Sequence, residues 1–286
     1  MGERAAVEAA VTEAEEAAVD EPLGVGIGWR PEIDLTVERL EGVDFVEVIA
    51  ENVRPDRLPE SLRVLRARGV PVIPHGVGLG VGGAEPPDPD RLAHLAACAQ
   101  ALGAPLVSEH LAFVRAGGME AGHLLPVPRT REALRVVVDN VRRAQDALEV
   151  PLALENVAAL FGWPQDEMTE AEFLGGLVEA TGVKLLVDVA NLYTNEVNLG
   201  LRAVDALDVL PLSELAYVHV AGGHAHGGVW HDTHTDHVPD EVLAILSELC
   251  ARVDPPGVLL EWDADYPSDE SLQSELDRIR KAMVRD

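Results

Sequence analysis

The stretch Leu215–His237 reads LAYVHVAGGHAHGGVWHDTHTDH and carries six of the chain's ten histidines: His219, His224, His226, His231, His234 and His237. It begins as an apolar run, breaks at Gly222-Gly223 and returns through Trp230 to His231-Asp232-Thr233-His234. An apolar strand containing a histidine and followed by a Gly-rich loop with Asp-x-His fits one wall of a metal site. In an extended segment residues i and i+2 point the same way, so Asp232 and His234 are expected to close on one ion. On a helix they would diverge. The competing reading is a solvated, histidine-rich surface loop.

Other apolar runs end in the same kinds of side chain. Glu47 lies near the end of one, and His75 follows Val-Ile-Pro. Glu109-His110, Glu155-Asn156 and Asp188, with Asn191 one turn on, end three more, and Glu261 ends the last. A lone His or Glu at a strand end is usually a satisfied structural group; the recurrence at seven ends argues otherwise. The elements that must position these groups alternate along the whole chain. Strands are expected at Gly24–Trp29, Val43–Ile49, Val70–Pro74, Pro105–Ser108, Pro151–Leu154, Val183–Val187, Leu215–Val220 and Val258–Leu260. Helical stretches fall between them, with Asp90 and Thr130 as expected N-caps and a long loop through Gly117-Gly118 and Pro126. Eight strands alternating with about eight helices predict a single α/β domain, a (β/α)8 TIM barrel. A doubly wound open sheet is the runner-up, but no GxGxxG turns from strand into helix, and the glycines at 76–83 lead into a Pro-rich loop.

A barrel gathers its strand ends on one face, where active sites of this fold sit. Burying that many carboxylates without a cation costs several kcal/mol per charge, on the order of the usual desolvation penalty. Nine candidate metal ligands follow: His75, His110, Glu155, Asp188, Asn191, His219, Asp232, His234 and Glu261. Imidazoles and carboxylates without a thiolate suit iron, manganese or zinc. Nine donors are too many for one ion and suit two or three that share carboxylates, with Glu155 and Asp188 as the expected bridges. His224, His226, His231 and His237 are expected to be solvated or to lie behind the ligands.

Composition narrows the function. The chain has 286 residues, 47% hydrophobic, with a formal charge of −28. That charge speaks against nucleic-acid phosphates and anionic membranes as partners. No apolar run approaches the roughly 20 residues that span a bilayer, and no signal peptide opens the chain. Residues 1–21 read as an acidic tail, disordered or loosely helical, before a barrel domain over 22–286. Cys98 and Cys250 sit in helical patterns and form no C-x-x-C pair, which points to a cytoplasmic protein without structural disulfides.

Several blocks together carry a family resemblance: GVGIGWRPE, FVEVIAENV, HGVGLGVG, LVSEHLAF, HLLPVPRT, LALENVA, LLVDVANLYTNEVNLG, YVHVAGGH, HDTHTDHV and LLEWD. In their order and spacing the chain resembles the DUF692 family, the multinuclear non-haem iron-dependent oxidative enzymes (MNIO), from about Gly24 to Glu275. The resemblance implies a xylose isomerase-like TIM barrel with two or three irons, mixed-valent Fe(II)/Fe(III), at its mouth. It implies O2 as co-substrate and oxidation of a residue, often a cysteine, in a ribosomally made precursor peptide. The nine residues above match the family's ligand positions. Glu47, Asn52, Glu109, Asn156 and His224 are expected to back the ligands or touch substrate. The chain departs from the family pattern at Glu109 in Ser-Glu-His, at Ala190 in Asp-Val-Ala-Asn, and at Gly223, which lengthens His-x-Ala-Gly-His. A separate leader-recognition partner protein is expected, because the chain ends close behind its last barrel helix. The alternatives are a divalent-metal sugar isomerase or epimerase, an endonuclease IV-like hydrolase on the same barrel, or a non-catalytic metal-dependent binding module.

Overall fold

The computed structural model describes residues 22–284; the acidic tail assigned to residues 1–21 lies outside them. The chain opens with β1 (Gly24–Trp29), α1 (Asp34–Val37), β2 (Phe45–Ile49), α2 (Glu60–Ala67), β3 (Val72–Gly76), α3 (Pro89–Leu102) and β4 (Val107–His110). A hairpin of β5 (Ala112–Ala116) and β6 (Met119–Pro126) precedes α4 (Arg131–Ala147). Then come β7 (Leu152–Glu155), α5 (Glu170–Thr181), β8 (Lys184–Asp188), α6 (Val189–Leu199) and α7 (Ala203–Val209). The chain continues through β9 (Leu215–Ala221), the short strands β10 (His224–His226) and β11 (Val229–His231), α8 (Asp240–Arg252), β12 (Gly257–Glu261) and α9 (Asp269–Met283). Eight strands close into a parallel barrel in the order β1-β12-β9-β8-β7-β4-β3-β2. The expected TIM barrel is therefore the fold.

The barrel interior is built by the two-residue period of a strand. Phe45, Ile73, Leu106, Ala153, Leu186, Tyr217 and Leu259 form one buried interior cluster. Two residues further along each strand stand Glu47, His75, Ser108, Glu155, Asp188, His219 and Glu261, all buried. The apolar layer plugs the barrel, and the polar layer lies above it at the C-terminal end. The parallel register sets neighbours in this layer side by side: His75 with Ser108, His110 with Glu155, and Asp188 with His219. A separate, larger apolar core lies between the strands and the surrounding helices.

Three local expectations are corrected. The long loop after β4 contains the β5–β6 hairpin, which turns at Gly117 and Gly118, both with positive φ. Its outer strand is exposed and polar, which hid its periodicity. Helix α6 was not expected. Its Val, Asn and Thr residues are weak helix formers, but the Asp188 side chain caps it by accepting from the backbone N–H groups of Ala190 and Asn191. Helix α3 is capped by Asp88, not Asp90, with Pro89 in its first turn. Among the described residues no helix is long and apolar enough to cross a membrane.

β1 supplies no side chain to the apolar layer. A Cβ on Gly26 would stand 2.6 Å from the Phe45 ring and 2.7 Å from the Phe45 carbonyl oxygen. Gly26→Ala should therefore lower unfolding stability by about 1–3 kcal/mol, the usual cost of overpacking, as read from urea denaturation. A Gly26→Ala protein as stable as the parent would contradict this packing.

Candidate metal centre

The polar layer resolves into three groups whose potential ligand atoms lie within 4.8 Å of one another: His75, His110 and Glu155; Glu155, Asp188, His219 and Glu261; and Asp188, Asp232 and His234. Glu155 belongs to the first two groups and Asp188 to the last two. The two Glu155 oxygens face different ways. Oε2 is 3.4 Å from Nε2 of both His75 and His110, and Oε1 is 3.5 Å from His219 Nδ1. His219 Nδ1 is also 3.1 Å from Glu261 Oε2, and His234 Nε2 is 3.0 Å from Asp232 Oδ2.

Each imidazole has one nitrogen turned inward and the other held by the chain. His75 Nδ1 meets Ser108 Oγ at 2.8 Å, and His110 Nδ1 meets the Gly76 carbonyl at 3.2 Å. His219 Nε2 meets Glu47 Oε2 at 2.9 Å, and His234 Nδ1 meets Asp263 Oδ2 at 3.1 Å. Asp263 is in turn gripped by the Arg30 guanidinium at 2.7 Å. Outer partners of this kind fix the tautomer and orientation of metal-binding histidines.

Several inner atoms lack hydrogen bonds. Among the described residues, Glu155 Oε2, Asp188 Oδ2, Asn191 Oδ1, His219 Nδ1 and Asp232 Oδ1 are buried without a hydrogen-bond partner. Metal–ligand bonds of about 2.0–2.2 Å would space neighbouring ligand atoms roughly 3.0–3.5 Å apart, the spacing found here. The donor set, imidazole and carboxylate without thiolate, fits a borderline or hard transition ion.

Electrostatics agree. Burial, then Asp232 and Glu155, push the Asp188 carboxyl well above the usual range. Burial would also raise Glu261, yet His219 and His234 hold it well below. Burial would lower His219, but Glu261 and Glu47 hold it well above its ordinary value. Burial and the neighbouring His110 push His75 well down. The carboxylates thus draw protons onto His219 and His234, where a cation would otherwise sit.

The Gly222-Gly223 break places Asp232 and His234. A Cβ on Gly222 would fall 1.9 Å from the Asp236 carbonyl oxygen, and one on Gly223 would fall 2.4 Å from that of His231. Only bare backbone lets the 231–237 segment cross so close to the end of β9. His234 N–H then bonds the Gly222 carbonyl, and Asp263 N–H bonds that of His234. The two ligand candidates do approach each other, but not as alternate residues of an extended strand: His234 takes a left-handed φ of 52°.

The remaining sequence candidates divide. Asn156 clamps the Asp188 backbone, accepting from its N–H and donating to its carbonyl. Asn191 turns its amide nitrogen to Glu155 Oε1 and the Asn156 carbonyl. Glu47 lies in the interior beneath His219. Glu109 is buried but points away, accepting from the N–H groups of Leu79 and His110. Asn52 is exposed and takes no place in the site. His224 sits on the β10–β11 hairpin against Asp236, not among the clusters. Sequence reasoning missed Ser108, Tyr217, Arg30 and Asp263, which lie far from their partners in the chain.

Above the clusters lies a cavity of about 450 Å³. His110, Glu155, Asn191, Asp232 and His234 are on its floor, and Leu124, Leu125, Val157–Phe161 and Trp230 are on its walls. Leu160 and Phe161 are exposed at this rim. Trp230 is held by Asn198, which bonds both its N–H and its carbonyl.

Residues 24–284 match the model of the RiPP precursor modification enzymes MbnB/TglH/ChrH. A "UPF0276 protein" of Streptomyces avermitilis is 62% identical over 92% of this chain; the chain spans 55% of that relative's length. A "UPF0276 protein" of Chromobacterium violaceum is 38% identical, covering 87% of this chain and 91% of the relative. Among solved structures, a xylose isomerase domain protein from Planctomyces limnophilus superposes with a TM-score of 0.60 at 17% identity, covering 92% of this chain and 97% of its own. At that identity the likeness concerns the fold alone.

His110 provides a test of the site. Burial would lower its pKa, but Glu155 and Glu109 raise it from 6.5 to about 9. With no ion bound, the stability this proton contributes is complete below about pH 6.5 and is lost as pH rises through about 9. An incoming metal ion must displace the same proton. Chelator-treated protein should therefore lose stability between about pH 6.5 and 9 while its metal affinity climbs over that interval. Denaturant melts and calorimetric metal titrations check both. An affinity flat over this range would remove His110 from the ligand set.

Proposed function

The chain belongs to the RiPP precursor modification enzyme family MbnB/TglH/ChrH, and from that premise we propose that it oxidises a residue, cysteine foremost, in a ribosomally made precursor peptide, using O2 and two or three non-haem irons. The observation that carries the reading is the chain of three ligand clusters sharing Glu155 and Asp188, with Glu155 Oε2, Asp188 Oδ2, His219 Nδ1 and Asp232 Oδ1 unpaired.

His75, His110 and Glu155 would hold one ion. Glu155, Asp188, His219 and Glu261 would hold a second, and Asp188, Asp232 and His234 a third, with Asn191 Oδ1 available beside Asp188. Bound iron in mixed-valent form would supply the electron-transfer chemistry that side chains alone lack. The protein's own part is positioning. Outer hydrogen bonds to Ser108, Gly76, Glu47 and Asp263 hold the four rings in place. The walls at Leu124, Leu125, Val157 and Ala159 limit water above the clusters and leave room for a side chain to descend onto them. A peptide would lie along the apolar rim at Leu160 and Phe161. A leader-recognition partner that delivers the precursor belongs to the same proposal.

Four imidazoles among the candidate ligands favour iron or zinc over the magnesium or manganese of an oxygen-rich isomerase site. Protein purified without oxygen should contain two or three irons per chain by elemental analysis, part of them a coupled ferrous–ferric pair by Mössbauer spectroscopy. Asp188→Ala, which removes a carboxylate common to two clusters, should lose metal and activity together. Full metal content in that variant, or zinc or manganese alone in an active enzyme that survives iron chelation, would overturn the proposal.

A further inference from the structure

Below the clusters, two hydroxyls and a carboxylate join two of the inward-facing imidazoles. Tyr217, on β9, is fully buried. Its phenol oxygen is 2.5 Å from Glu47 Oε2 and 2.6 Å from Ser108 Oγ. Ser108 Oγ meets His75 Nδ1 at 2.8 Å, and Glu47 Oε2 meets His219 Nε2 at 2.9 Å. These contacts form one unbroken chain from His75 to His219.

Donor capacity gives this chain a direction. A hydroxyl has one hydrogen to donate, and a carboxylate only accepts. Glu47 therefore receives from both Tyr217 and His219. With its hydrogen spent on Glu47, Tyr217 must accept from Ser108, and Ser108, its hydrogen spent in turn, must accept from His75 Nδ1. The only complete arrangement puts hydrogens on His75 Nδ1 and His219 Nε2. In the neutral rings that a metal ion requires, it leaves lone pairs on His75 Nε2 and His219 Nδ1, the two atoms that face Glu155.

We propose that Tyr217 is a positioning residue that fixes the tautomers of His75 and His219 together and so ties the filling of the first metal cluster to that of the second. The proposal rests on the reading of the site as a metal centre. Without the phenol hydroxyl, Ser108 loses its acceptor and can turn its hydrogen to His75 Nδ1. That favours the tautomer with Nε2 protonated, which cannot bind metal. Glu47 at the same time loses one of its two donors.

The test is a titration of metal-free wild-type and Tyr217→Phe proteins with Co2+ under anaerobic conditions, followed by visible absorption and equilibrium dialysis. Far-UV circular dichroism serves as the control for folding. Tyr217→Phe should fold as the parent does, bind Co2+ about tenfold to a hundredfold more weakly, as for other losses of a ligand's hydrogen-bond partner, and show an altered Co2+ spectrum. Ser108→Ala breaks the chain one link away, should perturb the spectrum in the same direction, and decides the matter if Tyr217→Phe does not fold. Wild-type protein that takes up no Co2+ would sink the metal-centre reading itself. Wild-type uptake matched by the variants in stoichiometry, affinity and spectrum would overturn the role of Tyr217 alone.

Discussion

The constraint on which this structure turns is the packing of Glu47, Glu155, Asp188, Asp232 and Glu261 with four imidazoles at the mouth of one barrel. Removing a carboxylate from water costs several kcal/mol after relaxation, as an order of magnitude. Among the described residues Arg30 is the guanidinium that contacts this group, and most of its hydrogen bonding goes to Asp263. Protons on the imidazoles relieve part of the strain, which is why Glu261 is held low while His219 and His234 are held high. Asp188 has no comparable relief and is pushed up. Cations between Glu155 and Asp188 would resolve both tendencies at once, because they attract the carboxylates and need the imidazoles deprotonated.

The barrel makes that concentration of charge buildable. Each barrel strand except β1 gives one apolar residue to the plug and, two positions on, one polar residue to the layer above. The apolar layer lies beneath the charged layer, and the cavity lies above it. The outer faces of the same strands pack into the core beneath the helices, which fixes where each polar side chain points. Pre-organisation here comes from the strand period and the parallel register more than from loops; Asp232 and His234 are the exceptions.

Much of this was legible in the sequence. The repeated apolar runs, each reaching a His, Asp or Glu, gave both the barrel and the residues that the fold brings together. The period was also written there as Phe45-x-Glu47, Ile73-x-His75, Ala153-x-Glu155, Leu186-x-Asp188, Tyr217-x-His219 and Leu259-x-Glu261, which separates inward from outward positions better than strand ends do. Glu109, one residue out of phase with Ser108 and His110, is outward by that rule, and its side chain indeed serves the β3–α3 loop. What could not be read was contact across distant strands. Nothing near Tyr217 in the chain suggests Glu47 or Ser108, 170 and 109 residues away. Asn52 was misplaced because a polar residue just beyond a strand can turn to solvent as easily as inward.

Asp188 shows how closely the site and the fold are joined. Its Oδ1 accepts the first free N–H groups of α6, where the helix dipole favours a negative charge, and its Oδ2 is left for the centre. Helix α6 then carries Asn191 to Glu155, and one face later Asn198 and Tyr193 to Trp230. Trp230 lies two residues before Asp232, the partner of Asp188 in the third cluster. A single carboxylate thus ends a strand, starts a helix and meets the segment which that helix holds in place. Through α6, Asp188 is joined to the cavity wall at Trp230 as well as to the clusters.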